Sequence, residues 1–361
     1  MAITMKEIAK KAGVARSTAS YILNNKWRES KISEDTRNRV MAIAEEYDYL
    51  PHATGRNLVS RRTHNIGIVL RSMDYLVVPY FATVISGIAH IAGPQDYNMQ
   101  FNISDMDVGP GAINLSFTKK VKEQCVDGLI IIDQCVSDEE ILWLLGRNTP
   151  FVLVDRYIPG VDIFCVRVDN KRGIYLATET LIKEGHKRIA FIGECMKWNK
   201  IIDMCEGYYQ ALREYEISVD KELIVDISEG GNSSLSTRLE SILRIDAPPS
   251  AIICSSDLWA VRVLRVLKEM EINIPQDMAL IGYNDDPNFA HVEPQLTTVH
   301  VPLREMGEES ARILFSLIDG VVPGRTEVIL EPSLIMRQST KGYAHVNKSG
   351  KEGDWVNSDK G

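Results

Sequence analysis

The stretch GVARSTASYILNN, residues 13–25, combines small and hydroxyl-bearing side chains with one arginine and one tyrosine. Ahead of it, Thr4 stands three residues before Glu7, which is the spacing of a helix-capping box. Gly13 predicts the end of that first helix, because glycine adopts a left-handed turn at low cost. A second helix with only a thin apolar stripe is predicted over about residues 16–24. The stretch therefore predicts two short helices joined by a tight turn.

A third helix is predicted to begin after Ser33, which is suited to cap it, with acidic residues in its first turn. Helix, glycine turn, helix and third helix together are typical of a helix-turn-helix unit. The second helix would expose short hydrogen-bonding side chains, namely Arg16, Ser17, Thr18, Ser20 and Tyr21. Such a helix fits the major groove, where donors and acceptors distinguish all four base pairs. Composition alone leaves open a surface helix that binds nothing.

Charge is distributed unevenly along the chain. Residues 1–63 contain 12 Lys and Arg against 7 Asp and Glu, whereas the whole chain contains 41 against 49. A basic head on an acidic body predicts that only the head binds a polyanion such as DNA. No apolar run approaches the roughly 18 residues of a membrane span, and the N-terminus lacks the apolar centre of a signal peptide. The 6 cysteines include no C-x-x-C pair and predict reduced thiols, so we expect a cytoplasmic protein without a membrane partner.

The N-terminal sequence MKEIAKKAGVARSTASYILNN, continued by SEDTRNRVMAIAEEYDYLPHATGRNL, resembles the DNA-binding head of the lactose-repressor (LacI/GalR) family of bacterial transcription regulators. The resemblance implies base contacts from Arg16, Ser17 and Tyr21. It also implies phosphate contacts from hydroxyl and amide side chains, which are Thr4, Thr18, Ser20 and Asn24. Arg28, in a loop longer than is usual in the family, is a further candidate for a phosphate contact.

Two positions of the head depart from the family pattern. Ala15 stands where a serine N-cap is usual, which leaves a backbone N–H of the second helix without a side-chain acceptor. Tyr21 stands where arginine is common and offers one hydroxyl and a ring in place of a bidentate guanidinium. The operator sequence therefore cannot be copied from a relative.

The segment that follows the head begins LPHATGRNL and is basic. The resemblance implies that residues 51–63 form a hinge helix when DNA is bound. Within that helix, Leu58 would enter the minor groove as a wedge and Arg56 would contact phosphate. Gly55, where the family has alanine, would weaken the helix by about 1 kcal/mol. A flexible basic linker is the alternative for the free protein.

From residue 65 onward, short β-branched runs such as IGIVL, GLIIID, FVLVD and RIAFIG alternate with helix-length segments. Strands that alternate with helices predict an α/β fold with parallel sheets. The order of the runs resembles the two-lobed periplasmic-binding-protein type I body of the same family. The predicted fold is therefore an N-terminal all-α helix-turn-helix head followed by that body.

The resemblance also implies domain boundaries along the chain. They are a head at 1–50, the hinge at 51–63 and an effector-binding and dimerisation body at 64–340. The polar, glycine-rich composition of residues 341–361 separately predicts a disordered tail. Within the body, lobe 1 is predicted at about 64–161 and 291–325, and lobe 2 at about 162–290 and 326–340. The chain would therefore cross between the lobes three times.

In this fold a ligand binds in the cleft at the carboxyl ends of the strands. The resemblance implies that nine residues line it: Tyr80, Phe81, Asp155, Arg156, Trp198, Lys200, Met204, Asp257 and Asn284. Met204 replaces a ligand-binding arginine that is common in the family, and Asn284 replaces a common aspartate. The effector expected there is a sugar or a related metabolite.

We find no catalytic motif, metal site or cofactor fingerprint in the sequence. A solute-binding protein of a transporter shares the predicted body but would carry a signal peptide and no DNA-binding head. An enzyme on a doubly wound scaffold is a second alternative, which the missing motifs disfavour. The sequence therefore predicts a transcription regulator, a repressor, that binds a near-palindromic operator in double-stranded DNA as a homodimer and is switched by a small molecule.

Overall fold

A computed structural model describes most of the chain, and the statements below refer to the described residues. These are residues 3–24, 32–49, 62–104, 123, 125–147, 149–194, 198–227 and 231–340. The chain divides into two compact units, one comprising residues 1–65 with 120–127 and the other residues 66–119 with 128–361. The predicted DNA contacts Arg28, Arg56 and Leu58, the position Gly55 and the predicted tail lie outside the described residues.

Three helices form the N-terminal head, as predicted: α1 (Met5–Lys11), α2 (Arg16–Leu23) and α3 (Glu34–Glu46). Gly13 lies between α1 and α2 with a φ of 64°, in the left-handed region that the turn requires. The head has a small core of its own, made of Ile8, Ala9, Ala12, Ala19, Ile22, Val40 and Ala44. The helix-turn-helix prediction is confirmed.

The helix caps of the head follow the sequence closely. The Thr4 backbone N–H donates to Glu7 at 2.8 Å, and the Glu7 N–H donates to the Thr4 hydroxyl at 3.3 Å, so the capping box is present. Ser33 caps α3 by accepting from the Thr36 N–H at 3.3 Å. Ala15 precedes α2 with no side-chain cap, as expected of alanine.

The body contains two six-stranded sheets. The first has the strand order β11-β5-β4-β3-β1-β2 and the second has the order β12-β10-β9-β8-β6-β7. The strands of the first sheet are β1 (Asn65–Leu70), β2 (Asn98–Ile103), β3 (Gly128–Ile132), β4 (Phe151–Val154), β5 (Cys165–Val168) and β11 (Glu327–Leu330). The strands of the second are β6 (Ile189–Gly193), β7 (Ile224–Asp226), β8 (Ala251–Cys254), β9 (Ala279–Asn284), β10 (Thr297–His300) and β12 (Ser333–Ile335).

Helices cover the sheets. Those associated with the first sheet are α4 (Pro79–Ala92), α5 (Asp138–Leu145) and α10 (Leu303–Ile318). Those associated with the second are α6 (Asn170–Lys183), α7 (Asn199–Glu214), α8 (Gly231–Leu243) and α9 (Asp257–Glu269). Short 3-10 turns lie at Met73–Val77, Gly93–Gln95, Lys221–Leu223 and Pro287–Phe289. We refer to the first sheet with its helices as lobe 1 and to the second as lobe 2.

The pairing confirms the predicted α/β class, because neighbouring central strands such as β1 and β3, or β8 and β9, run parallel. β12 is an antiparallel edge strand on β10. The central strands of both sheets are buried on both faces. Their residues are therefore almost all apolar, which explains the near-continuous β-branched runs in the sequence.

The three crossings between lobes come later than the predicted positions near residues 161, 291 and 325. β5 still pairs with lobe 1, β10 still pairs with lobe 2, and β11 pairs with lobe 1 again. The chain therefore changes lobe after each of these strands. The sequence did not reveal this, since buried strands of either sheet have the same apolar pattern.

Candidate functional site

Helix α2 presents two different faces. Residues of a helix are spaced about 100° apart, so Arg16, Ser17 and Tyr21 share one side of α2. All three are exposed, Tyr21 at 45%, whereas Ala19 and Ile22 on the opposite side are buried in the head core. The exposed face carries a guanidinium, hydroxyl groups and an aromatic ring, which are groups that can bind base edges.

The predicted phosphate contacts of the head are placed differently from one another. Thr18 and Ser20 are half-buried on α2, and Thr4 is engaged in the capping box. The Asn24 side-chain amide donates to the Ser20 carbonyl at 2.8 Å and lies 3.2 Å from the Ser20 hydroxyl. Asn24 therefore closes the end of α2 in this structure and holds Ser20 in place.

A second group of polar side chains lies between the two lobes of the body. Asp155 follows strand β4 with a φ of 53°, and its side chain is 1% exposed. Its Oδ2 atom accepts from the Tyr80 hydroxyl at 2.8 Å and from the Lys200 ammonium at 2.6 Å. Asp155 and Tyr80 belong to lobe 1, and Lys200 belongs to lobe 2. A buried ion pair therefore spans the cleft.

The surroundings of this ion pair keep both partners charged. Burial by itself would raise the pKa of Asp155, but Lys200 and the hydrogen bonds from Lys200, Tyr80 and Asn170 hold it below its ordinary value. Burial would likewise lower the pKa of Lys200, but Asp155 and Asp133 raise it above its ordinary value. The cost of burying two charges is offset by their mutual attraction and by these additional hydrogen bonds.

Aromatic rings line the lobe 1 side. The Lys200 ammonium lies 4.5 Å from the centre of the Tyr80 ring, within the range of a cation–π contact. Phe81 packs edge-on against Tyr80, with 5.0 Å between ring centres, and stacks on Tyr75 at 4.4 Å. The two predicted aromatic residues are therefore part of one cluster with Asp155 and Lys200.

Three further residues of this cluster were not predicted from the sequence. The Asn170 amide donates to Asp155 Oδ1 at 3.4 Å, and the Tyr283 hydroxyl donates to Asn170 Oδ1 at 2.7 Å. Asp133 follows strand β3, has a φ of 59° and interacts electrostatically with Lys200. The run GLIIID that ends in Asp133 has the same pattern as FVLVD, which ends in Asp155. That likeness was the signal available for Asp133.

A second set of contacts between the lobes lies along the first turns of α7. The Tyr157 hydroxyl donates to Asp203 at 3.0 Å, and the Asn199 amide donates to the Tyr157 carbonyl at 3.0 Å. Arg167 of β5 lies 4.0 Å from Asp203 and bonds Glu327 at 2.6 Å. Helix α7 therefore contacts lobe 1 through several side chains beside Lys200.

Three predicted effector contacts, Arg156, Met204 and Asp257, are engaged elsewhere in the structure. Arg156 is buried, and its guanidinium bonds the Val136 carbonyl and Asp138 at the beginning of α5. Met204 is fully buried in the core that spans both sheets, because its position on α7 faces inward. Neither Arg156 nor Met204 joins the cluster around Asp155.

Asp257 has a structural position in lobe 2. It accepts from the Thr298 hydroxyl at 2.6 Å and from the Asp286 N–H at 2.7 Å. Burial raises the pKa of Asp257 to about 7, although these hydrogen bonds act in the opposite direction. Asp257 therefore fixes the loop that follows β9.

The two remaining predicted residues lie at element ends. Trp198 precedes α7 and packs, half-buried, against the core. Asn284 ends β9 with a φ of 107° and lines a cavity of about 590 Å³ together with His300 and Leu303. Among the described residues, no group of three or more His, Cys, Asp or Glu is placed to hold a metal ion.

Comparisons with known proteins find matches both for the head and for part of the body. A model of bacterial regulatory proteins of the lacI family matches residues 4–52, and a periplasmic binding protein-like domain matches residues 178–340. The HTH-type transcriptional regulator RegA of Clostridium saccharobutylicum is 29% identical, over 94% of this chain and 100% of its own length. The ribose operon repressor of Haemophilus influenzae is also 29% identical, over 93% of this chain and 98% of its own length.

A solved structure, a complex of the transcriptional regulator CelR with cellobiose, is 26% identical to this chain. It matches with a TM-score of 0.68, over 93% of this chain and 99% of that one. The similarity therefore extends through both the head and the body. In the residues that the structure describes, no helix is long and apolar enough to cross a membrane.

Proposed function

The chain belongs to the LacI family of bacterial regulatory proteins, and on that premise we propose that it represses transcription at an operator that it selects by sequence. It binds double-stranded DNA as a homodimer, and a small molecule in the cleft between the lobes changes its affinity for DNA. Two heads are needed because one helix contacts only a few base pairs, so a two-fold dimer reads a near-palindromic site. Such a regulator acts in the cytoplasm, where the DNA is.

The exposed face of α2 is the observation that carries this proposal. A surface helix of a small bundle needs no arginine, serine and tyrosine side by side on its outer face. A helix that enters the major groove needs these groups, because base edges are read by donors, acceptors and apolar contacts. We propose Arg16, Ser17 and Tyr21 as base contacts, and Thr4, Thr18, Ser20, Asn24 and Arg28 as phosphate contacts. Arg56 and Leu58 complete the proposed set, in the hinge.

For the effector we propose the cluster of Tyr80, Phe81, Asp155 and Lys200, extended by Asp133 and Asn170. These groups accept and donate hydrogen bonds beside aromatic rings, which is how proteins bind sugars and related polyols. Relatives named for ribose and cellobiose support a ligand of this class. Trp198 and Asn284 remain candidates at the edge of the cleft. In this proposal Arg156, Met204 and Asp257 do not contact the effector. They stabilise the lobes on either side of the cleft, since the first and third are hydrogen-bonded within their lobes and the second is buried in the core.

The proposal assigns the chain no catalytic role. A solute-binding protein shares the body but has no use for a head that reads DNA, and the two relatives named above, which match 93–94% of the chain, are a transcriptional regulator and an operon repressor.

The test is selection of binding sites from a random duplex library by the full chain. We expect enrichment of one near-palindromic sequence, whose half-sites are related by the two-fold axis of the dimer. Arg16→Ala should lose the enrichment, while Lys183→Ala, a change of an exposed lysine on α6, should keep it. Recovery of no preferred sequence, or the same preference with Arg16→Ala, would contradict the proposal.

A further inference from the structure

The environment of the Lys200 ammonium is that of a binding site for a cation. Its nitrogen lies 2.6 Å from Asp155 Oδ2 and 4.5 Å from the centre of the Tyr80 ring. The Lys200 side chain is 14% exposed and the Asp155 side chain 1% exposed, so both groups are withdrawn from bulk water. The carboxylate and the ring belong to lobe 1, whereas the ammonium comes from lobe 2. Lobe 1 thus provides a cage into which lobe 2 inserts a positive charge.

A second carboxylate adds to the negative charge of the cage. Asp133 Oδ1 is buried and has no hydrogen-bond partner among the described residues. Asp133 acts on Lys200 electrostatically, since it raises the pKa of that lysine together with Asp155. The nearby Arg156 guanidinium is engaged with the Val136 carbonyl and Asp138. One ammonium therefore serves two carboxylates, and one buried oxygen still lacks a donor.

We propose that Asp155, Asp133 and the Tyr80 ring form an ammonium subsite of the effector cleft, which Lys200 fills in this structure and which the amine of an effector fills when it binds. The proposal rests on the proposed function, because it places the subsite in the effector cleft. The ligand class is an amine that also carries hydroxyl groups, such as an amino sugar.

The charges of the cage favour an amine over other ligands. A neutral hydroxyl that displaced Lys200 would leave the buried Asp155 carboxylate without the cation that pairs with it, which is costly. An anionic group would add a third negative charge. An ammonium restores the ion pair with Asp155 and the contact with Tyr80, and it keeps a positive charge near Asp133. The amine of the effector then contacts Asp155 in place of Lys200. This removes one contact between the two lobes, so the effector would weaken the connection of α7 to lobe 1.

The experiment is chemical rescue in the full chain. Lys200→Ala removes three methylene groups and the ammonium, which together correspond to n-propylammonium. We expect n-propylammonium chloride to raise the Tm of this variant in a saturable manner, by about 2 °C or more. The neutral analogue 1-propanol and sodium chloride at equal concentration should not do so. The unsubstituted chain should respond less, because n-propylammonium must compete there with the tethered Lys200 ammonium.

Two further variants separate the subsite from general effects of amines. Lys183→Ala also removes a salt-bridged lysine, from the exposed pair with Glu179, and should show no response. Lys200→Ala combined with Asp155→Asn should lose the response. The proposal would be overturned if n-propylammonium raised the Tm of both lysine variants equally, if 1-propanol raised the Tm of Lys200→Ala equally, or if the Tm of Lys200→Ala did not rise.

The result can be obtained even if Lys200→Ala does not fold in plain buffer. Refolding in the presence of n-propylammonium but not of 1-propanol would support the subsite, and failure in both would overturn it. The outcome is also separable from the proposed function. Loss of rescue while the chain still selects an operator would remove the subsite alone, whereas loss of operator selection with rescue intact would remove the proposed function alone.

Discussion

On helix α2, Arg16, Ser17 and Tyr21 are exposed, whereas in the cleft Asp155 accepts bonds from three side chains and is almost fully buried. These three side chains of α2 have no hydrogen-bond partner among the described residues, so they can contact bases without breaking a bond within the protein. In the proposed subsite of the cleft, a ligand replaces an existing bond, the one between Lys200 and Asp155. Base reading thus depends on exposed side chains, and the proposed switching depends on side chains that are already paired. Each prediction below tests one side of this difference.

The largest effect is expected from the small core of the head. Ile8 is fully buried there and is one of seven core residues, of which four are alanine. Ile8→Ala should cost about 2–5 kcal/mol, which approaches the whole stability of so small a domain. We expect loss of binding to the selected operator and an unchanged thermal transition of the body, measured by calorimetry of the full chain.

Ile202→Ala is the matched control for this change. Ile202 is exposed on α7, so its truncation should leave both the operator affinity and the transition of the body nearly unchanged. Retained operator binding with Ile8→Ala would show that the head does not depend on this core. A drop in the transition of the body would show that the two regions do not unfold separately.

Burial of Asp257 makes the stability of the body depend on pH. Its pKa in the folded chain is about 7, above the value of about 3.9 for an unfolded chain. The folded state therefore binds more protons between these values. The contribution of Asp257 to stability is fully present below about pH 4 and is lost as the pH rises to about 7.

Asp257→Asn should remove this part of the pH dependence, which is on the order of a few kcal/mol. Thermal unfolding between pH 4 and 8 measures it as a flatter profile for the variant. Asp277→Asn serves as control, since hydrogen bonds from Asn273 lower the pKa of this exposed carboxyl and place its effect below the window. Parallel profiles for Asp257→Asn and the unsubstituted chain would count against the assignment.

For the exposed side, Arg16→Ala and Tyr21→Ala should each weaken binding to the selected operator by about 1–3 kcal/mol and leave binding to random DNA nearly unchanged. Arg16→Lys is the sharper control, because lysine keeps the charge but loses the bidentate geometry of a guanidinium. If Arg16 reads a base, Arg16→Lys loses specificity in a competition titration at fixed salt. If it contacts only phosphate, the lysine variant retains specificity, and the base assignment is wrong.

The sequence predicted the head well because its decisive interactions join near neighbours in the chain. The capping box of Thr4 and Glu7, the Ser33 cap and the missing cap at Ala15 each involve residues within one helical turn. Such contacts depend on spacing, and spacing can be read directly. The exposed face of α2 follows from the same regular geometry.

The cleft was predicted only in part, because its contacts join residues far apart in sequence. Tyr80, Asp155 and Lys200 meet as a cluster, yet nothing in their spacing indicated that Lys200 pairs with Asp155 across the lobes. Arg156 follows Asp155 directly but bonds lobe 1 groups near α5, and Met204 turns into the core. Side-chain direction at a strand end, and the rotation of a helix about its axis, are set by packing that a single sequence does not show.

The smallest expected effect concerns the beginning of α2, where Ala15 provides no side-chain cap. Ala15 precedes α2 with φ −66° and ψ 148°, nearly the same backbone as Ser33, with φ −67° and ψ 150°. The Ser33 hydroxyl accepts from the Thr36 N–H, three residues on, whereas Ala15 offers the Thr18 N–H no acceptor. Ala15→Ser should therefore stabilise the head by roughly 0.5–2 kcal/mol, and Ser33→Ala should destabilise it by a similar amount. Both changes can be followed in the thermal transition of the head in the full chain without DNA. If Ser33→Ala lowers that transition while Ala15→Ser leaves it unchanged, the beginning of α2 is limited by something other than its missing cap, and its first turn would then be shaped for DNA and not for stability.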